Sequence, residues 1–576
     1  MNYSDDKNVL ILLSLLKAHN IKKIVTSPGV ANITFVASVQ IDPYFEVYSS
    51  VDERSAAYIA CGLAEESGEP VVISCTGATA SRNYMPALTE AFYRKLPILA
   101  VTSARDIAWV GQNSPQQIDR SVLPRDIARY SLHLPTLHTA KDETIYTTLI
   151  NKAILELTHN GGGPVHINLT NGYTGSYTTE ELPKVRKISR IDNILVMPEL
   201  PLCKIAVFVG AHSKWTKELT DSVEAFCLKH NAVVLVDHIS NYRGKYAVFH
   251  NLVTCQQKYC ANCMAVDLMI NIGHIHGTDF EGITAKEVWR VNIDGEVRDT
   301  FGNLTMVFQM DEQQFFEYYK DKSTVENNVY VSEWENERKD LMSKIPELPF
   351  SNIWVGSKIL PELPAESVLH FGIQNSLRSW NLTDCRTSIL GYCNTGGFGI
   401  DGCVSSLIGA SLHGSNKLYF GVVGDLAFFY DMNSIGNRHV GSNVRLIVVN
   451  NGRGQQFRNP FSAGGRFGED ADRFIAAAGH NGAQSHQLLK HLAEDLGFEY
   501  MSAENKEEFN SRMDWFTNPK PAHRPYLFEI FTQTEDESKA LELMCTLKSS
   551  LEREAKDAVK KMIGSKATAL VSKLIN

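Results

Sequence analysis

No stretch of about 18 uncharged apolar residues occurs in the 576 residues, so no helix is expected to span a membrane. There is no excess of positive charge either. Lys and Arg number 56 against 65 Asp and Glu, a net charge of −9. A protein whose main partner is nucleic acid or an anionic membrane carries the opposite balance. Small anionic ligands stay open, because they need only a local patch. The opening MNYSDDKNVLILLSLLKAHN is acidic first and apolar second, the reverse of a secretory leader. Cysteine is sparse: eleven, an odd number, scattered without a dense framework. That argues against a disulfide scaffold and fits reduced thiols, so a cytoplasmic location is expected. One grouping, His250, Cys255, Cys260 and Cys263 in HNLVTCQQKYCANC, has a spacing suggestive of a metal site. It lacks a fourth thiolate at a convincing spacing and reads as unligated cysteines of a loop and a helix.

What the chain does have is regular alternation. Short apolar runs bounded by turn residues alternate with helical patterns, the mark of α/β domains with parallel sheets. Strands are expected near 23–27, 70–75, 97–102, 205–210, 232–237, 268–272, 368–371, 417–423 and 445–450. Pro and charge gather near 177–198 and 339–349. Three consecutive α/β domains are therefore expected, at 1–185, 186–342 and 343–576. The first and third share a pattern. DERSAAYIACGLAEESGEPVVISCTG and GIDGCVSSLIGASLHGSNKLYFGVVGD each run helix, turn, strand and glycine. From about 535 to 576, Leu543, Leu547, Leu551, Ala555, Ala558 and Met562 recur at helical spacing, which predicts an amphipathic helix.

In open α/β sheets, ligands sit beyond the carboxyl ends of the strands. Two of those ends carry unusual chemistry. One apolar run closes on Gly424-Asp425, and the next, in RLIVVNNGRGQQF, closes on Asn450-Asn451. A βαβ unit brings two such ends together. A carboxylate, an amide oxygen and a backbone carbonyl near Arg453 form a hard-oxygen set suited to Mg²⁺ completed by phosphate oxygens. Gly424 and the small Ala427 let backbone N–H groups approach a diphosphate.

Gly424-Asp425-Leu426 followed by Asn450-Asn451 resembles the diphosphate-binding motif of thiamin diphosphate enzymes. That resemblance implies thiamin diphosphate and Mg²⁺ as cofactors, with Asp425, Asn451 and the Arg453 carbonyl on the metal. It implies a pyrimidine-binding first domain, a central domain and a diphosphate-binding third domain, the first and third of one fold. It also implies active sites between subunits, hence a homodimer or a dimer of dimers. Such enzymes need a glutamate before a small-residue helix, and VDERSAAYIACG supplies Glu53. By the same resemblance Glu53 would hydrogen-bond the cofactor pyrimidine and favour the tautomer that activates the thiazolium. Thr76, Gly77, Gly454 and Gln455 complete the expected cofactor contacts.

Within the family the chain is similar to the synthases that add a succinyl semialdehyde unit to isochorismate. The matching stretches are Asp52-Glu53-Arg54-Ser55, Gly399-Ile400-Asp401-Gly402, Gly424-Asp425-Leu426 with Tyr430-Asp431, and 448–457. By resemblance Gly399 and Ile400 lie at the cofactor, Ile400 as the apolar wedge that bends it. Gln116 stands near the reacting carbon. Arg105, Asn32, Ser376, Arg378, Gln456 and Phe457 fall on the substrate side. The chain departs from that subgroup at three arginines. Its first loop reads Ser27-Pro28-Gly29-Val30-Ala31 where the synthase ends in Ser-Arg. Trp380 and Thr395 stand at the other two arginine places. Arginine is the natural carboxylate partner. The reading is therefore an enzyme that decarboxylates a 2-oxo acid donor and passes the acyl-carbanion unit to an aldehyde or ketone acceptor. A simple decarboxylase, the isochorismate-dependent synthase itself and a non-catalytic scaffold are the alternatives. The central stretch VFVGAHSKW has one glycine and no flavin fingerprint.

Overall fold

A computed structural model of the protein describes residues 2–171, 175–277, 280, 282–322, 328–386, 388–413, 416–520 and 522–549. The chain folds as three α/β domains, each built on a parallel sheet. The first sheet comprises β1 (Lys23–Thr26), β2 (Glu46–Ser49), β3 (Val71–Cys75), β4 (Ile98–Ala104), β5 (Tyr130–His133) and β6 (Val165–Thr170). Its spatial order is β2-β1-β3-β4-β6-β5. Every residue of β3, β4 and β6 is buried, which follows from helices covering both faces. On one face Val9, Leu12, Leu13 and Leu16 pack on Leu99, Val101 and Ile167. On the other, Ala56, Ala57, Ala60 and Ala64 bring the Glu53–Ser67 helix close to Val25, Val71 and Ile73. Small side chains permit that approach.

The central strands come next: β7 (Ser189–Ile191), β8 (Ile205–Val209), β9 (Ala232–Val236), β10 (Ala247–Phe249), β11 (Ala265–Ile272), β12 (Thr284–Val291) and β13 (Leu304–Phe308). Contact density divides the chain into two compact units, one of Met1–Val196 with Asp294–Gln309 and one of Met197–Ile293 with Met310–Asn576. Strands β10-β9-β8-β11-β12 lie in the second unit, in that order, and β13 pairs with β7 in the first.

The third sheet comprises β14 (Val368–Phe371), β15 (Leu390–Cys393), β16 (Tyr419–Gly424), β17 (Val444–Asn450), β18 (Glu499–Ala503) and β19 (Tyr526–Phe531). Its order is β15-β14-β16-β17-β19-β18. Counted from its own first strand, that order repeats the first sheet's, strand for strand. The two domains therefore share one fold. The nine strands expected from sequence are present. Edge strands such as β2 and β18 were not expected, because they are short, partly exposed and lack continuous apolar runs.

The helix Thr534–Met544 lies in the tail where an amphipathic helix is expected, and buries Ala540, Leu541 and Met544. The continuation through Leu551, Ala555, Ala558 and Met562 lies outside the described residues. Among the described residues no helix is long and apolar enough to cross a membrane.

Candidate active site

The third sheet sets β16 beside β17, with Gly424 opposite Val449. Helix Asp425–Tyr430 starts where β16 stops, so Asp425 sits at the junction. Its carboxyl is 2 % exposed. Burial pushes it up to about 7, against backbone N–H groups of Leu426, Gly452 and Asn451 that favour the charged form. A carboxylate walled off from water in this way calls for a cation. The second donor is 26 positions on. The side-chain oxygen of Asn451 is buried and has no hydrogen-bond partner among the described residues, a costly state unless a ligand completes it. Asn450 is already committed. It donates to Glu529 Oε1 at 2.7 Å and accepts from the Gly452 N–H at 3.2 Å. Gly452 takes φ +72°, a turn that glycine makes without strain.

These groups line a cavity of about 210 Å³. Gly424, Leu426 and Ala427 form one wall, and Arg453, Gly454 and Gln455 another. A carboxylate, an orphaned amide oxygen and a backbone wall free of bulk at Gly424 fit Mg²⁺ with a diphosphate. Ile400, Ser376, Gln456 and Phe457 border the same space. Gly399 lies next to Ile400 in the turn before helix Cys403–Ser411. Gln374, also on the wall, holds φ +64°, rare for a non-glycine residue. Strained backbone of this kind clusters at ligand sites.

The cationic side chains around this loop are placed by contacts that sequence reading did not supply. Arg453 and Arg458 converge on Asp472, at 2.6 and 2.7 Å. Arg378 donates to Gln456 Oε1 at 2.5 Å. Gln455 donates to Thr534 O and Ser538 Oγ, both at 3.3 Å, which ties the loop after β17 to the Thr534–Met544 helix. Trp380 is fully buried, and its indole N–H donates to Asn352 Oδ1 at 2.8 Å. Thr395 is buried as well. Glu529 is the largest omission from the sequence reading. It is 1 % exposed and accepts from Asn450 and from Tyr500 Oη, each at 2.7 Å. The signal was available: a lone carboxylate inside the apolar run YLFEIF.

The first sheet carries the other expected residues. Glu53 opens its helix behind the cap Asp52, whose carboxylate accepts from the Arg54 and Ser55 N–H groups. Glu53 is half-buried and accepts from Asn83 Nδ2 at 3.3 Å. Beyond β3, Gly77 begins helix Ala78–Asn83, and a Cβ there would stand 3.1 Å from the carbonyl oxygens of Gln116 and Ser103. Glycine thus lets the exposed Gln116, at φ +62°, close on Thr76-Gly77. The Thr76 hydroxyl is buried without a partner among the described residues. Arg105 follows β4 and lies over the Trp109 ring at 5.9 Å. It borders a separate cavity with Lys7 and Asp106. Asn32 is fully buried and donates to Ser27 O at 3.0 Å, bracing its own loop.

Two domains share one strand order, and one of them carries the Asp425–Asn451 cavity; comparison with known proteins gives the class its name. Residues 9–123 match the family described as "Thiamine pyrophosphate enzyme, N-terminal TPP binding domain". The chain belongs to the thiamine pyrophosphate enzymes. Among its relatives, the 2-succinyl-5-enolpyruvyl-6-hydroxy-3-cyclohexene-1-carboxylate synthase of Bacteroides fragilis is 33% identical over 565 residues, 94% of this chain and 98% of that one. The synthase of the same name from Bacteroides thetaiotaomicron is 33% identical over 559 residues, with the same coverage. A solved structure, the Rhodococcus jostii RHA1 thiamine diphosphate-dependent 4-hydroxybenzoylformate decarboxylase, aligns with a TM-score of 0.40 and 16% identity, over 91% of this chain and 99% of that one.

Proposed function

We propose that the protein is a thiamin diphosphate- and Mg²⁺-dependent carboligase, which decarboxylates a 2-oxo acid and transfers the acyl unit to an acceptor. The observation that carries this is 33% identity over nearly the whole length of the named synthase, with Asp425 and Asn451 at adjoining strand ends. The relatives favour that synthase's own reaction over transfer to a generic aldehyde or ketone. When bound, thiamin diphosphate supplies a carbon nucleophile and then an electron sink for loss of CO₂.

The chain's own residues divide the remaining work. Asp425, Asn451 and the Arg453 carbonyl would hold Mg²⁺, and the Gly424–Ala427 backbone would receive the diphosphate. Glu53 would hold a proton against the cofactor pyrimidine. Gln116 and Ser376 would face the reacting carbon, with Phe457 excluding water. The assembly is proposed as a homodimer or a dimer of dimers in the cytoplasm, with domain limits at 185 and 342.

One observation favours a different acceptor. Trp380 is sealed in the core at a place where the resemblance calls for a substrate arginine, so the side chain there carries no charge for a carboxylate. The test is CO₂ release from 2-oxoglutarate and a panel of smaller 2-oxo acids, with isochorismate, with simple aldehydes and with no acceptor. Coupled product with isochorismate is the expected result. Coupling only to aldehydes selects the alternative acceptor. Fast CO₂ release with no coupled product in any arm overturns the carboligase reading.

A further inference from the structure

Cys255 and Cys545 are 290 positions apart in sequence and stand together in the second unit. Cys255 follows the short helix Asn251–Thr254. Cys545 closes the Thr534–Met544 helix, its N–H donating to Leu541 O. The backbone locks the two segments in register. The Gln257 N–H donates to Cys545 O at 2.8 Å, the Gln256 side chain to Met544 O at 2.8 Å, and the Leu547 N–H to Gln256 Oε1 at 2.9 Å. Lys548 adds an ion pair to Glu337 at 2.6 Å. Cys255 Sγ lies 3.8 Å from Met544 O and within hydrogen-bond reach of the Cys545 thiol. Both residues border a cavity of about 380 Å³.

We propose that Cys255 and Cys545 form a reversible disulfide that fastens the Thr534–Met544 helix to the segment before β11. The contacts already in place hold the two segments side by side, so little further ordering is required to join the thiols. The oxidant is a hydroperoxide. One thiol attacks the peroxide, the O–O bond breaks, and a sulfenic acid and water form. The second thiol attacks that sulfur, the S–O bond breaks, and a second water leaves. Two thiols and one H₂O₂ thus give one disulfide and two waters, the sulfurs losing two electrons to the peroxide oxygens. The hydrogen bond to Cys545, together with burial, pushes the Cys255 thiol well above its usual range. The consequence reaches the metal loop, because the fastened helix supplies the Thr534 and Ser538 acceptors of Gln455.

The test uses the full chain, treated with H₂O₂, blocked with iodoacetamide and mapped by mass spectrometry without reduction. The expected result is a peptide pair linked through Cys255 and Cys545, lighter by two hydrogens and separated by dithiothreitol. Exposed Cys260, five positions from Cys255, serves as the internal control and should remain alkylatable. The oxidised chain should melt at higher temperature than the reduced chain, and Cys255→Ser and Cys545→Ser should each abolish the rise. The wild-type map stands alone if either variant fails to fold. Oxygen adducts on Cys260 with no linked pair, or a link between Cys255 and Cys260, would overturn the proposal.

Discussion

The first and third sheets follow one strand order but finish it with opposite chemistry. Beyond β3 the first sheet offers Thr76 and Gly77, and beyond β4 it offers Arg105. At the corresponding ends of β16 and β17 the third sheet offers Asp425 and Asn451. In the third domain the acid is sealed from water, and its neighbouring amide oxygen lacks a partner among the described residues. In the first, the acid Glu53 stands half-exposed at a helix start with one long hydrogen bond. A shared fold supplies the addresses, and the depth of each acid sets the role proposed for it. A buried carboxylate suits a cation, which compensates its lost hydration. A carboxyl at a rim can exchange a proton with a ligand.

The sharpest way to break this contrast is Asp425→Asn. Turnover should fall on the order of 10³-fold or more, since a metal's charge stabilisation is worth several kcal/mol. The rise in melting temperature on adding thiamin diphosphate with Mg²⁺ should vanish. Without cofactor the variant should melt no lower than wild type, because a neutral amide has no buried charge to desolvate. A cofactor-induced shift of wild-type size in this variant would remove Asp425 from the metal. Glu53→Gln probes the other acid. It should cut turnover by roughly 10²–10⁴-fold, the usual span for a proton-transfer group, while leaving the cofactor-induced shift intact. Equal loss of both in the two variants would erase the distinction.

Glu529→Gln should have a smaller effect, and it acts through Asn450. Neutralising Glu529 weakens one charge-assisted hydrogen bond of about 1.5–3 kcal/mol. The loop from Asn450 to Gly454 then loosens. The half-saturating Mg²⁺ and thiamin diphosphate concentrations should rise roughly tenfold, with turnover at saturation nearly kept. A loss of turnover at saturation with unchanged half-saturation would place Glu529 in the chemistry instead.

The sequence made the strand-end chemistry legible because a fixed offset from an apolar run is local information. Asp425, Asn451 and Glu53 each follow or open an element whose pattern is strong. Partners across the fold were another matter. Nothing in GRGQQF indicates that Arg453 faces Asp472, which sits in an irregular stretch with no periodicity. The amide of Gln455 is held by a helix about 80 positions away. Trp380 was legible as a missing arginine but not as a fully buried core residue that braces Asn352. Glu529 was hidden for the opposite reason. Its strand is so apolar that the charge passes as an interruption, and only pairing with β17 shows that it grips Asn450.

The pairing of Arg453 and Arg458 on Asp472 is a further difference between the two domains, and it supports the smallest prediction. In the first sheet Arg105 is held over Trp109, whereas here two guanidinium groups share one internal carboxylate. Both pairs are partly exposed, which limits each to about 0–1 kcal/mol. Asp472→Asn should therefore leave the fold intact and lower the melting temperature only slightly. It should also raise the positive potential at the wall that Arg453 lines. The KM for a dicarboxylic 2-oxo acid should then fall severalfold relative to that for a monocarboxylic one, with kcat little changed. A KM that rises for both acids would mean that Asp472 serves to hold the loop after β17 in place. Unchanged KM values for both would mean that neither arginine senses the substrate's charge.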